Sequence, residues 1–222
     1  MSKSKLKKFH SIDNMNHVIQ PSRQDLLSNI SQLKGNWHKW FNNTNPIIVE
    51  LGCGKGEYSV GLSRLNPNAN YIGVDIKGSR IYSGAKIVSE EKWTNVAFLR
   101  IQIEYLDYAF DENEISEIWI TFPDPQIKFN RRRKRLTAPL MLDKYRFLLK
   151  QKGVVHLKTD SLFLYGYTLG LLDGKSYCII KSVHDVHGMF HNDPRLDIKT
   201  HYESMFLKKN QPITYLSFSF ID

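Results

Sequence analysis

Three glycines at alternate positions, Gly52, Gly54 and Gly56, follow a short apolar run, with Glu50 just ahead of them and Glu57 just behind. Glycines between a strand and a helix let the backbone approach a ligand closely, although an ordinary glycine-rich turn has the same look. Two common ligands are disfavoured by the spacing. A dinucleotide loop needs Gly or Ala where Glu57 stands, and that carboxylate would repel a pyrophosphate. A P-loop needs Ser or Thr after its lysine, where this chain has Gly56. Glu50 suits a ligand that carries positive charge instead. Asp75 closes a second apolar run, where a carboxylate can accept hydrogen bonds from both ribose hydroxyls or cap the helix that follows.

A nucleoside bearing cations and no phosphate meets these demands, and S-adenosylmethionine, with its α-ammonium and sulfonium, is such a molecule. Glu104, beyond a third apolar run, is a candidate acceptor for an adenine amino group, though a surface Glu is commonplace. Asp124 stands between Pro123 and Pro125 after a fourth run; the prolines limit its backbone freedom, and a plain Asp-Pro turn is the alternative. Asp160, in Thr159-Asp160-Ser161, reads as a helix N-cap, a substrate contact, or both. His184, His187, His191 and His201 lack the helical pair with a carboxylate partner that a metal site uses, so no metal is expected. Cys53 and Cys178 make neither a disulfide framework nor a recognised catalytic signature.

Charge points to a polyanionic partner. The chain has 31 Lys and Arg against 22 Asp and Glu, a formal net charge of +9. Lys128, Arg131, Arg132, Arg133, Lys134 and Arg135 form one dense run with Phe129 inside it, and Lys3, Lys5, Lys7 and Lys8 form a second. Like charges this close repel one another, so the first run is expected to stay mobile until an anion arrives. Two separated clusters suit a long polyanion whose phosphates release counterions on binding. Phe122 and Phe129 are candidates to stack on bases, Phe122 being the better fit to the core. The longest apolar stretch, 162–172, is broken by glycines and falls short of the ~20 residues of a membrane span. No apolar signal segment follows the first lysines, and a soluble cytoplasmic protein is expected, as monomer or homodimer.

The elements that must position these residues alternate. Residues 1–20 show no period and read as a flexible basic arm ahead of a single domain over 21–222. A helical preamble is expected over 21–41, from Leu26, Leu27, Ile30 and Leu33 at helical spacing. Strands are expected over 46–51, 70–75, 96–101, 115–122 and 153–158, interleaved with helices over 57–65, 77–92, 105–110, 139–150 and 161–172. Two last strands, 177–184 and 213–220, are joined by a long polar connection in place of a helix. This order describes an α/β fold, a mostly parallel sheet with helices on both faces and an antiparallel hairpin at its C-terminal edge.

The motifs E-L-G-C-G-K-G at 50–56, G-V-D at 73–75, T-F-P-D-P at 121–125 with the basic run behind it, and T-H-Y-E at 200–203 together resemble the bacterial tRNA (guanine-N7)-methyltransferase family. The similarity runs from about residue 47 to the C-terminus. It implies a Rossmann-like class I methyltransferase, with S-adenosylmethionine as donor and guanine 46 of the tRNA variable loop as acceptor. It also implies that Glu50, Gly52, Gly54, Gly56, Asp75, Glu104 and Asp124 contact the cofactor and that Asp124 is the catalytic position. Lys128, Asp160, Thr200 and Glu203 would then handle the guanine nucleotide, and Arg131 to Arg135 the tRNA backbone. Many members have an Asp after the third strand, where this chain has Ile103-Glu104-Tyr105. A methyltransferase acting on another RNA or on a protein, and a non-catalytic RNA-binding relative, are the competing readings.

Overall fold

The computed structural model describes residues 3–28, 32–174, 176–189 and 191–221. One eight-stranded sheet runs through it in the order β1-β4-β3-β2-β5-β6-β8-β7. The strands are β1 (Val18–Ile19), β2 (Ile47–Leu51), β3 (Asn70–Val74), β4 (Val96–Leu99), β5 (Ile115–Thr121), β6 (Leu149–Thr159), β7 (Tyr177–Val183) and β8 (Thr214–Phe220). β1 through β6 pair in parallel, while β8 runs antiparallel to both β6 and β7. The expected edge hairpin is thus present, with its second strand on the inside.

Parallel strands are buried on both faces, which is why β2, β3 and β4 are buried at every position and largely apolar, not alternating. Successive side chains still point to opposite sides. Ile118 and Ile120 of β5 pack into one core cluster and Trp119 into the other. The first cluster lies under α2 (Arg23–Leu27), α3 (Trp37–Phe41), α6 (Leu106–Ala109), α7 (Pro139–Leu148) and α8 (Leu162–Leu172). The second lies under α1 (Lys3–Asp13), α4 (Glu57–Leu65) and α5 (Gly78–Glu91). Pro139 opens α7, where its missing N–H costs nothing, and Ser161 caps α8 by accepting from the Leu164 amide.

Three stretches depart from expectation. The helical preamble is two short helices, α2 and α3, and Ile30 of its periodic set lies outside the described residues. The N-terminal segment is not a period-free arm: residues 3–13 form α1, and Val18 and Ile19 pair with Phe98 and Leu99. Ile12 is fully buried against α5, where a Cβ added to Gly78 would come within 2.7 Å of its Cδ1. The Arg100 guanidinium lies 4.3 Å from the Phe9 ring centroid. Leu6, Phe9 and Ile12 recur at three-residue spacing, a helical signal that the period-free reading of this segment passed over. Finally, the connection between β7 and β8 contains α9 (His201–Leu207), preceded by a 3-10 turn at Pro194–Asp197.

If α1 is an integral layer of the fold, Ile12→Ala should lower the unfolding free energy by about 2–4 kcal/mol in urea titrations. A stability equal to that of the unsubstituted chain would return this segment to the status of an arm.

Candidate active site

The chain leaves β2 toward β3 on one side and returns to β5 on the other, so the crevice above β2 is the topological switch point where open α/β sheets bind ligands. The glycine loop sits there. Gly52, Gly54 and Gly56 have φ of 74°, 55° and 70°, in the left-handed region that disfavours side chains. The amides of Gly52 and Cys53 both donate to the Val74 carbonyl, at 2.8 and 3.0 Å, which pins the loop to the end of β3. A Cβ at Gly56 would come within 2.5 Å of the Phe98 ring, whereas one at Gly52 would meet nothing within 4 Å and would project into open space. Gly56 therefore serves packing, and Gly52 clears room for a ligand.

Asp75 does more than end its strand. Its Oδ2 accepts from the Gly54 amide at 2.9 Å and its Oδ1 from the Lys77 amide at 2.8 Å, bridging the glycine loop to the start of α5. It also lines a recess of about 330 Å³ with Gly52, Ile76, Ile101, Gln102, Ile103, Glu104 and Leu136. Glu104 is thus brought beside Asp75, but exposed, on the 3-10 turn Ile103–Tyr105.

Glu50 departs from its expected role. It is only 2% exposed and lines neither this recess nor the cavity beside it. Its Oε2 accepts from the amide and hydroxyl of Ser59, at 2.9 and 2.5 Å, and its Oε1 from the Thr121 hydroxyl at 2.6 Å. Burial pushes its carboxyl up to about 7, against the pull of these hydrogen bonds. The residue ties β2, α4 and β5 together under the loop.

The larger cavity, about 420 Å³, adjoins the recess at Gly52. Gly52, Cys53 and Gly54 form one wall, Thr121 to Pro125 the second, and Asp160, Thr200, Tyr202 and Phe206 the third. Asp124 is exposed into it, and its Oδ1 accepts from the Gln126 amide at 3.0 Å. Phe122 and Gln126 on either side have φ of 48° and 45°. Two bulky residues held in the left-handed region within five positions, around two prolines, form a strained turn of the kind that fixes a functional side chain. Phe122 stacks on Phe206 with 6.1 Å between centroids and belongs to the wall. Since Ser161 caps α8, Asp160 is left to face the cavity, where burial raises its carboxyl above the usual range.

The third wall depends on charge buried far from solvent. Lys158 and Glu203 are both fully buried, with Nζ 2.7 Å from Oε1. Lys158 also donates to the carbonyls of Leu196 and Ile198, at 2.7 and 3.1 Å. His187 Nε2 lies 2.8 Å from the same Glu203 oxygen. Desolvation lowers the lysine's proton affinity and Glu203 restores part of it. Glu203 therefore does not reach the cavity, contrary to its expected contact with a guanine. It also completes a capping box with Thr200, whose hydroxyl accepts from the Glu203 amide at 3.1 Å. Thr200 and Glu203 are four-residue partners at the head of a helix where a polar loop was expected. Only Thr200 reaches the cavity.

The basic run separates into two kinds of cation. Lys128 and Arg131 to Lys134 are exposed on or beside a 3-10 turn, Phe129–Lys134, outside the cavity. Arg135 is buried: its guanidinium donates to the Gln126 and Ile127 carbonyls and lies 4.2 Å from the Tyr167 ring centroid. It closes the loop and is not available to an RNA backbone. Among the described residues, no group of three or more His, Cys, Asp or Glu is placed to hold a metal. Burial pushes the Cys53 thiol well above its usual range, which makes it an inert filler of the loop.

Sequence reasoning missed several cavity residues. Arg80 enters from α5, Lys77 from the cap just before it, and Phe206 from α9, which also carries Tyr202 of the 200–203 segment expected at the nucleotide. The Arg80 guanidinium stands 5.8 Å from the Tyr202 ring centroid. No spacing in the chain announces these contacts, although the T-x-x-E pattern at Thr200 could have revealed the helix that carries two of them.

Comparison with known proteins converges with this geometry. A family model described as "Putative methyltransferase" matches residues 44–216. The chain is 51% identical to a tRNA (guanine-N(7)-)-methyltransferase of Christiangramia forsetii, over 98% of either chain. It is 42% identical to one of Bacteroides fragilis, over 98% of this chain and 86% of that one. Among solved structures it is similar in fold to the 16S rRNA methyltransferase KamB, with a TM-score of 0.62 at 12% identity, covering 84% of this chain and 92% of that one. A 16S rRNA (adenine(1408)-N(1))-methyltransferase from Catenulisporales acidiphilia aligns with a TM-score of 0.59 at 15% identity, over 84% and 93%.

Two outcomes follow from the buried charges. Glu203→Ala should destabilise the chain by about 3–5 kcal/mol, because Lys158 loses its partner, whereas Lys158→Met with Glu203→Leu should cost much less than the single change. Equal losses in the two variants would show that the pair's charges are immaterial. For Glu50, a carboxyl raised in the folded state contributes stability below the unfolded value near 4.3 and loses it as pH rises through about 7. Denaturant titrations at pH 5 and pH 8 should therefore show a fall of roughly 3 kcal/mol that Glu50→Gln abolishes. A variant with the same pH dependence would refute that assignment.

Proposed function

The chain belongs to the tRNA (guanine-N7)-methyltransferase family, and from that premise we propose that it transfers the methyl group of S-adenosylmethionine to N7 of guanine 46 in the variable loop of tRNA. The single domain, with α1 and β1 as part of it, acts as the methyltransferase, in the cytoplasm, as monomer or homodimer. The observation that carries this reading is the meeting, at Gly52, of an apolar recess ending in Asp75 and a polar cavity ending in Asp124 and Asp160.

The residues fit the cofactor. Each Asp75 oxygen has one protein donor and retains capacity for a ribose hydroxyl. Ile76, Ile103 and Leu136 offer the flat apolar surface an adenine needs, with Glu104 at its rim. The open space over Gly52 leaves passage from one chamber to the other. S-adenosylmethionine supplies an electrophilic methyl on a sulfonium.

What the protein must add is position and charge. Guanine N7 carries an in-plane lone pair and no proton, so no base is needed to expose it. The C–S bond breaks as the N7–C bond forms, and positive charge moves onto the purine. Asp124, fixed by the strained turn, can accept from the guanine N1–H and amino group and stabilise the charge that develops. Asp160 and Thr200 face the same cavity and complete the polar wall around the base. The exposed Lys128 and Arg131 to Lys134 neutralise phosphates beside the cavity mouth, where contacts set register without choosing the base.

The test is transfer from labelled S-adenosylmethionine to an unmodified tRNA transcript, with nucleosides mapped by mass spectrometry. The expected product is 7-methylguanosine at position 46, and Asp124→Ala should lower turnover roughly 10²-fold while changing cofactor affinity far less. A methylated adenine or protein would redirect the reading to another substrate, and tight tRNA binding without transfer would leave a binding protein.

A further inference from the structure

Beyond the cavity, the segment from Asp124 to Arg135 is a braced loop that holds an aromatic ring in solvent. One brace is the Gln126 amide on Asp124 Oδ1; the other is the buried Arg135, donating back to the Gln126 and Ile127 carbonyls. Between them, Phe129 is 76% exposed. The Arg132 guanidinium lies 4.0 Å from its ring centroid, and Arg132 Nη1 donates to the Phe129 carbonyl at 3.2 Å. The ring is thus oriented from one side by a planar cation and contributes nothing to either core cluster. Lys128, Arg131, Arg133 and Lys134, its neighbours along the chain, are also exposed.

An exposed phenyl ring stacked on one guanidinium and flanked along the chain by further exposed cations is a poor seat for an apolar protein surface, since docking would strip water from those charges. It matches a nucleobase, which stacks on the ring while its phosphates meet the cations. Phe129 lies five positions after Asp124, a span of at most roughly 18 Å, so such a base belongs to the same RNA loop as the target. We propose that Phe129, backed by Arg132, is a second nucleotide subsite that stacks an unpaired base near the guanine to be methylated. The proposal rests on the tRNA reading above and names a contact outside the guanine pocket.

The experiment compares the unsubstituted protein with Phe129→Ala, Phe129→Leu and Phe129→Trp. A further variant joins Arg131→Ala to Arg133→Ala. Affinity for a tRNA transcript is read by fluorescence anisotropy across a salt series. Phe129→Ala and Phe129→Leu should weaken binding about 10-fold, and Phe129→Trp should restore it, as stacking requires. The log–log salt slope should be unchanged in the Phe129 variants but flattened by roughly two units in the double arginine variant. A 2-aminopurine in the variable loop should be quenched by the unsubstituted protein and not by Phe129→Ala. Binding by Phe129→Ala within twofold of the unsubstituted protein, or full restoration by Leu, would overturn the subsite. Absence of methyl transfer to tRNA by the unsubstituted protein is a separate result that removes the substrate reading itself.

Discussion

A lysine and a glutamate with no access to water hold the third wall of the cavity in place. Lys158 is on β6, an internal strand of the sheet, and Glu203 is on a short helix in the connection that returns from edge strand β7 to β8. Neither charge is tolerable without the other, so the long segment before β8 has one low-energy way to lie across the sheet. The two carbonyls that Lys158 also engages fix the preceding turn, and the capping box fixes the helix axis. Thr200, Tyr202 and Phe206 owe their places to that arrangement.

The other two walls are fixed by backbone geometry. Left-handed residues occur at the glycine loop, where glycine makes them easy, and at Phe122 and Gln126, where it does not. The strained turn is held by sheet pairing behind it, with the Phe122 amide on the Lys158 carbonyl at 2.9 Å. One residue therefore supports two walls, Lys158 through its side chain and its backbone. A carboxylate at Asp124 is presented on a turn that has little freedom to relax, which is what positioning catalysis asks for.

Positive charge in this chain does several jobs that composition cannot distinguish. Lys158 and Arg135 are structural, one paired and the other bonded to carbonyls beneath aromatic rings. Arg80 faces the cavity, and the run from Arg131 to Lys134 faces solvent. Arg135 and Arg133 are two residues apart, and one is inside while the other is outside, because the loop has to close on something.

Much of the fold was legible in the chain alone. Short apolar runs ending in glycine, Asp or proline marked β2, β3 and β5, and their alternation with amphipathic stretches specified a parallel sheet with helices on both faces. These are local signals, set by side-chain period and turn chemistry over ten residues or fewer. The glycine loop, Asp75, Asp124 and Asp160 were legible for the same reason, since each closes or follows a strand. Three things were settled only in three dimensions. The docking of the helix at residues 3–13 and the pairing of Val18 needed partners on α5 and β4, far along the chain. Glu50, Glu203 and Arg135 turned from ligand contacts into buried supports, because burial and hydrogen-bond partners are properties of the packed molecule and not of residue type. Arg80 and Phe206 joined the cavity only through the closing of separate helices over one point of the sheet, a coincidence in space that no spacing in sequence records.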